Sequence, residues 1–298
     1  VKPEKVGLKG KKKIAVVHAH GMIGGRKSRI DPLFGVMMGH ESVVADLRKA
    51  AKDKDVAAIV FRVDSPGGEG LASDLIGHEV AIVSEKKPVV ASMVDVAGSG
   101  GYYISYQATK IVADPMTITG SIGSISMKFN MKGLYDKMGV TQDNVTKGPM
   151  ALLMSDYRDF TPEERARFER NHWNGFNRWL EDVARRRGMT FDEAQKLAHG
   201  RVWSGRQAKE NGLVDELGGL DRAIEIAKEL AKIPADEKVT VVHFPKKKSL
   251  LEVVTGDGGG IAAAANNAAR RLIRENLADA WRMLNGNSLY LMDDASTR

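Results

Sequence analysis

The sequence predicts an α/β fold built on a parallel sheet. Three observations predict it. Short apolar runs alternate with amphipathic stretches over the first part of the chain. Glycine-rich turns follow two of those runs. From Thr161 to Ile233 the pattern then becomes mostly helical. Strands that alternate with helices belong in a parallel sheet covered on both faces.

Taken in order, residues 14–17 (Ile-Ala-Val-Val) read as a buried strand after a lysine cluster. Residues 40–54 place Val43, Val44, Leu47 and Ala51 at helical spacing. Ala57 to Val63 is a second strand, closed by Asp64-Ser65-Pro66-Gly67-Gly68. A helix is expected over about 71–84, a strand over 88–94, and a helix near 102–108 after the turn Ala97-Gly98-Ser99-Gly100-Gly101. Lys110 to Ala113 is a fourth strand, and Val239 to Phe244 a late one. Thr161-Pro162-Glu163-Glu164 is a helix start, with Thr as N-cap, Pro in the first position and acids in the first turn. The expected layout is an N-terminal extension over 1–13 and a main domain over 14–245, with its α/β core to about 160 and a helical part after. A linker at 256–260, an amphipathic helix at 261–284 and a tail occupy 246–298. The apolar face of that helix suits packing against the domain or a sister subunit better than membrane contact.

Composition removes several function classes. The formal charge is +7. The basic residues, however, gather at Lys11–Lys13, Lys246–Lys248 and Arg185–Arg187, with no interleaved aromatics and no zinc-knuckle or helix-turn-helix signature, which argues against nucleic acid as a partner. The basic ends would also suit an anionic membrane surface. There are no cysteines, which eliminates disulfides, thiolate metal sites and a cysteine nucleophile. The seven histidines (His18, His20, His40, His78, His172, His199, His243) form no metal motif and no spacing that pairs them with a carboxylate or with Ser99, so no metal and no cofactor is expected. No apolar run approaches the ~20 residues of a membrane span. The start is not a signal peptide, and the chain reads as a portion of a longer protein.

The two glycine-rich turns carry the chemistry. Catalytic groups in open parallel sheets gather at the carboxyl ends of strands, and both turns follow strands. A serine on a tight strand-to-helix turn is held exposed with backbone amides close by. Flanking glycines allow the turn and the approach of a substrate backbone. Fixed donors are what a tetrahedral oxyanion requires, each worth ~3 kcal/mol. The amides of Gly68 and of Ser99 or Gly100 are the candidates. Each turn alone is more commonly a plain turn, and the spacing would equally suit an acyl-CoA enzyme whose glycine loops polarise a thioester.

Four stretches add a resemblance. They are Arg62-Val-Asp-Ser-Pro-Gly-Gly68, Ala97-Gly-Ser-Gly-Gly-Tyr-Tyr-Ile-Ser105, Thr119-Gly-Ser-Ile-Gly123, and Gly200-Arg-Val-Trp-Ser-Gly-Arg-Gln-Ala-Lys-Glu-Asn-Gly-Leu-Val-Asp-Glu-Leu-Gly218. From Lys12 to Ile233 the chain resembles the signal peptide peptidase A family of serine peptidases, whose fold is the crotonase and Clp-protease type. The resemblance implies Ser99 as nucleophile, Gly68 as an oxyanion donor, with Gly100 the expected second donor from the turn, and Ser121 as the hydroxyl that orients a lysine base. It implies extended hydrophobic peptides, such as cleaved signal peptides, lying beside Gly67-Gly68. It also implies a ring-like homo-oligomer, membrane association through a segment outside this chain, and a tail like residues 287–292 that can lie in an active-site groove.

The pattern breaks at the base. Serine is a poor nucleophile until a base takes its proton. A lysine does so once burial has lowered its pKa. Relatives carry that lysine at the end of Gly-x-x-Lys, and the matching stretch here is Gly148-Pro149-Met150-Ala151. Ala151 cannot accept a proton. The expectation is a chain inactive alone, because the lysine comes from another half of a longer enzyme or has been replaced in an inactivated variant. A pseudoenzyme that only binds peptides, and rescue by Lys147, are the weaker alternatives.

Overall fold

The computed structural model describes residues 12–245. The N-terminal extension up to residue 11, the linker at 256–260, the helix at 261–284 and the tail at 287–292 lie outside the described residues. Along the chain come β1 (Lys13–His20), β2 (Met22–Ile23), β3 (Arg29–Asp31), β4 (Gly35–Met38), α1 (His40–Lys52), β5 (Val56–Ser65), α2 (Gly70–Ser84), β6 (Val89–Gly98), α3 (Gly100–Ser105), β7 (Lys110–Ala113) and β8 (Ile118–Gly120). After α4 (Lys132–Lys137) follow the long α5 (Pro162–Arg187), α6 (Phe191–Leu197), β9 (Val202–Ser204), α7 (Gly205–Glu210), β10 (Glu216–Leu217), α8 (Leu220–Leu230) and β11 (Thr240–Phe244).

The main sheet runs β10-β7-β6-β5-β1-β11, with every neighbour parallel. The parallel α/β core expected from the alternation is therefore present. Alternation of side chains along the strands supplies both faces with apolar residues. One face (Ala15, Val17, Ile59, Phe61, Val63, Ala91) packs on α1, α2 and α3 through Leu47, Ile76, Val80 and Tyr102. The other (Ile14, Val16, Ala58, Val60, Val90, Val112) packs on α8 through Ala223, Ile226 and Ala227. Buried on both sides, these strands read as continuous apolar runs rather than alternating ones.

Two compact units make up the chain. Among the described residues, the first comprises 12–124 together with 176–245, and contains the sheet. The second comprises residues 125–175, with α4 and the first half of α5. Among its residues only Glu164 is buried. Ile125, Met127, Phe129, Met138 and Val145 are all more than half exposed.

Candidate active site

Two parallel strands of the first unit end side by side and place a serine beyond each end. β6 and β8 pair with Gly98 opposite Gly120, so Ser99 and Ser121 are the next residues out. The Ser99 amide donates to the Gly120 carbonyl at 2.9 Å. Both serines have positive φ, 53° and 48°. Ser99 combines that φ with ψ −119°, a conformation that costs an L-residue of order 1–3 kcal/mol and persists only where the surroundings enforce it. They do so here. The Ser99 carbonyl accepts from the Tyr103 amide at 2.9 Å. The Thr119 hydroxyl donates to the Ala97 carbonyl at 2.8 Å, just before the turn. The buried Tyr102 hydroxyl donates to the Leu213 carbonyl at 3.0 Å, and burial pushes that phenol's pKa well up. Ser99 itself is partly exposed, and among the described residues its hydroxyl makes no hydrogen bond.

The first glycine-rich turn closes against the second. Gly67 has φ +104°, and a Cβ there would lie 2.7 Å from the Gly100 nitrogen and 2.8 Å from Ser99 Cβ. Only a residue without a side chain fits. Gly68 (φ +147°) forms a parallel bridge with Ile23, and a Cβ there would sit 2.0 Å from the Ile23 carbonyl oxygen. Ile23 donates to the Gly67 carbonyl at 2.8 Å and accepts from the Glu69 amide at 2.9 Å. Those two bonds use the groups on either side of Gly68, so its own N–H faces the opposite way. It donates no hydrogen bond among the described residues. The Gly100 amide, first in α3, has no acceptor in the helix behind it. Of the donors considered from sequence, the Ser99 amide is therefore removed, because Gly120 takes it. The Gly68 and Gly100 amides remain.

The third and fourth motifs meet as well. The Ser121 amide donates to the Arg201 carbonyl at 2.7 Å, and the Gly200 amide to the Ile122 carbonyl at 3.0 Å. β8 pairs antiparallel with β9, Gly120 opposite Val202, and the Arg201 guanidinium lies 3.9 Å from the Trp203 ring centroid. The far end of the fourth motif is anchored by Asp215. Burial pushes that carboxyl up, yet the Arg187 guanidinium at 3.0 Å and the Ile111 amide at 2.8 Å leave it below its ordinary value.

Ser99, Ser121, Gly67, Gly68 and Gly100 thus share one edge of the first unit. Ala151 lies in the second unit, exposed, in a turn whose Ala151 amide approaches the Gly148 carbonyl at 3.4 Å. Lys147 is exposed in the same unit. One histidine does meet a carboxylate that its sequence spacing hides. His20 Nδ1 lies 3.1 Å from Asp64, because β1 and β5 pair those two residues across 44 positions. Among the described residues no group of three potential metal ligands occurs.

A sequence profile described as peptidase family S49 matches residues 81–234. Serine protease SPPA, chloroplastic, of Arabidopsis thaliana is 39% identical over 87% of this chain and 38% of its own length. Protease 4 of Salmonella typhi is 41% identical over 66% of this chain and 32% of its own length. Protease 4 of Haemophilus influenzae is 36% identical over 76% of this chain and 36% of its own length. The chain thus spans well under half of each of these relatives. Among solved structures, a mutant of the 1510-N membrane-bound stomatin-specific protease aligns with TM-score 0.50 over 80% of this chain and 99% of that one, at 15% identity. That likeness concerns the fold, and it agrees with the Clp-protease-type arrangement expected from the sequence.

Proposed function

The chain belongs to peptidase family S49, the signal peptide peptidase A family, and from that premise we propose that it is the serine-bearing part of a peptidase acting through Ser99. The observation that carries the reading is the strained, partly exposed serine set against two amides that have no other acceptor among the described residues. Ser99 Oγ attacks the scissile carbonyl, and the oxygen that becomes negative accepts from Gly68 and Gly100. The acyl group is then on Ser99, the amine leaves with a proton, and water releases the acid. The outward N–H of Gly68 also suits an extended peptide that adds a strand beside Gly67-Gly68. Hydrophobic peptides such as cleaved signal peptides are the proposed substrates.

The proton acceptor is the open element. Ala151 stands at the lysine position, and Ser121, beside Ser99, would orient an amine arriving there. We propose that the amine comes from another half of a longer enzyme, which the greater length of the relatives allows. A chain inactivated by replacement of that lysine agrees with Ala151 nearly as well, and one that only binds peptides is the weaker reading. The exposed apolar side chains of residues 125–150 support assembly into a homo-oligomer, since such surfaces are usually covered. No helix among the described residues is long and apolar enough to cross a membrane; association with one would use a segment outside this chain.

The test is Ala151→Lys, assayed on casein and on a fluorogenic apolar peptide. A positioned general base is worth about 10²–10⁴-fold, so activity should rise by that order and vanish again in Ala151→Lys with Ser99→Ala. Activity that survives Ser99→Ala would instead favour an acyl-transfer enzyme that does not use the serine.

A further inference from the structure

The residue that follows Gly68 is a glutamate in a place that helix chemistry does not ask for. Glu69 is the N-cap of α2, where Ser, Thr, Asp and Asn are preferred because their short side chains reach the first amides. Its side chain makes no capping bond. The carboxylate instead crosses to the segment beyond β2 and accepts from the Gly25 amide at 2.9 Å. The Glu69 amide donates to the Ile23 carbonyl at 2.9 Å. Its own carbonyl accepts from the Ser73 amide at 3.0 Å and from the Ser73 hydroxyl at 2.9 Å. Anchored in this way on α2, Glu69 grips one short segment at two points, Ile23 with its main chain and Gly25 with its side chain.

That segment is the one that flanks Gly68. It leaves β2 through Gly24 and Gly25, the latter at φ +71°, and glycine has the most backbone freedom to lose on ordering. The Gly24 amide donates to the Met38 carbonyl at 3.0 Å. The Gly25 carbonyl accepts from the His40 amide at 3.2 Å and lies 3.0 Å from His40 Nδ1. Those bonds hold the segment on the side of β4 and α1. The Glu69 carboxylate holds it on the side of Gly68. We propose that Glu69 is a positioning residue, whose carboxylate pins Gly25 and, through Ile23, keeps the Gly68 N–H aimed at the oxyanion. This role rests on the peptidase reading of Gly68. It needs the carboxylate as an acceptor and not as a charge, since a negative group one residue from a developing oxyanion opposes it. A neutral amide of the same reach should therefore serve as well.

Kinetics on the fluorogenic apolar peptide in the Ala151→Lys background test it with Glu69→Ala and Glu69→Gln. Glu69→Ala should lower kcat about tenfold, short of the ~100-fold of losing a donor outright. KM should stay within about twofold, because a misaimed oxyanion donor costs rate and not ground-state binding. Glu69→Gln, which keeps the acceptor, should hold kcat within about twofold of the Ala151→Lys protein. Hydrogen exchange on the chain with Ala151 retained needs no activity. There Glu69→Ala should speed the Ile23 and Glu69 amides, whose bonds lie on either side of Gly68, and Glu69→Gln should not. An inactive Ala151→Lys protein would count against the peptidase reading alone, and exchange would then decide whether Glu69 holds Gly68. Unchanged exchange or unchanged kcat in Glu69→Ala, a loss that falls on KM with kcat kept, or a Glu69→Gln variant as slow as Glu69→Ala would each overturn the proposal.

Discussion

In the unit that carries the sheet, the buried positions are overwhelmingly apolar, and they lie on both faces of parallel strands. In residues 125–175 the one buried residue is Glu164, held by Arg158, while methionines, isoleucine and phenylalanine stand exposed. The contrast separates two ways of keeping a backbone in place. Dense apolar packing resists local adjustment, so the first unit can hold Ser99 and Ser121 at positive φ. An ion pair at a helix start gives no such rigidity, and it depends on the charge state of its members. Precise geometry at the serine is therefore a property of the first unit. Carboxyls held low occur in both units, Asp215 in the first and, more strongly, Glu164 in the second.

The largest effect expected from this difference is on stability. Phe61 is fully buried in the sheet, and Phe61→Ala should cost about 3–5 kcal/mol in urea unfolding. Met138→Ser, at an exposed site of the second unit, should stay within about 0.5 kcal/mol under conditions that keep the chain monomeric. Similar losses from both would mean the second unit has an apolar core after all.

Gly68→Ala comes next. Its Cβ would collide with the Ile23 carbonyl, which displaces one proposed oxyanion donor. In the Ala151→Lys background, acylation should fall about 100-fold or more, the usual loss for one such donor. An unchanged rate would remove Gly68 from the site.

A smaller effect of pH tests the Glu164 pair of the second unit. The Arg158 guanidinium and the Thr161 amide hold the Glu164 carboxyl down at about 2, against an ordinary value of 4.5. A depressed carboxyl stabilises the fold fully above its unfolded pKa, and that contribution is lost as pH falls through the folded value. Thermal unfolding followed from pH 5 to pH 2 should therefore decline more steeply for the unmutated chain than for Glu164→Gln. Parallel curves would show that the Arg158 pair contributes nothing measurable. Smallest of all, Ser121→Gly should leave stability within about 1 kcal/mol, because glycine tolerates φ 48° and removes strain. Its effect should fall instead on the activity of Ala151→Lys.

Much of this was legible in the sequence. The strands at 14–17, 57–63, 88–94, 110–113 and 239–244 correspond to β1, β5, β6, β7 and β11, since long apolar runs between turn residues have few other uses. The observed strands run further, β6 to Gly98 and β5 to Ser65, because their last residues are small or polar. The helix expected at 102–108 instead spans Gly100–Ser105, starting on the glycines that the turn requires. The strands β2, β3, β4, β8, β9 and β10 were not legible. They are two to four residues long, too short for any period to emerge, and partners distant in sequence define them. At the site, the motifs pointed to Ser99, Ser121, Gly67, Gly68 and Gly100. Which amides remain available was not readable, because that depends on the pairing of Gly120 with Ser99 and of Ile23 with Gly68. Glu69 gave no signal, since the Gly25 amide that its carboxylate meets lies 44 positions earlier.

The most direct measurement is active-site labelling of the Ala151→Lys protein with a fluorophosphonate, followed by peptide mapping. A single adduct is predicted on the peptide that contains Ser99, slowed by Gly68→Ala and absent in Ser99→Ala. No adduct, or an adduct on another serine with Ser99 unmodified, would contradict a nucleophile at the end of β6.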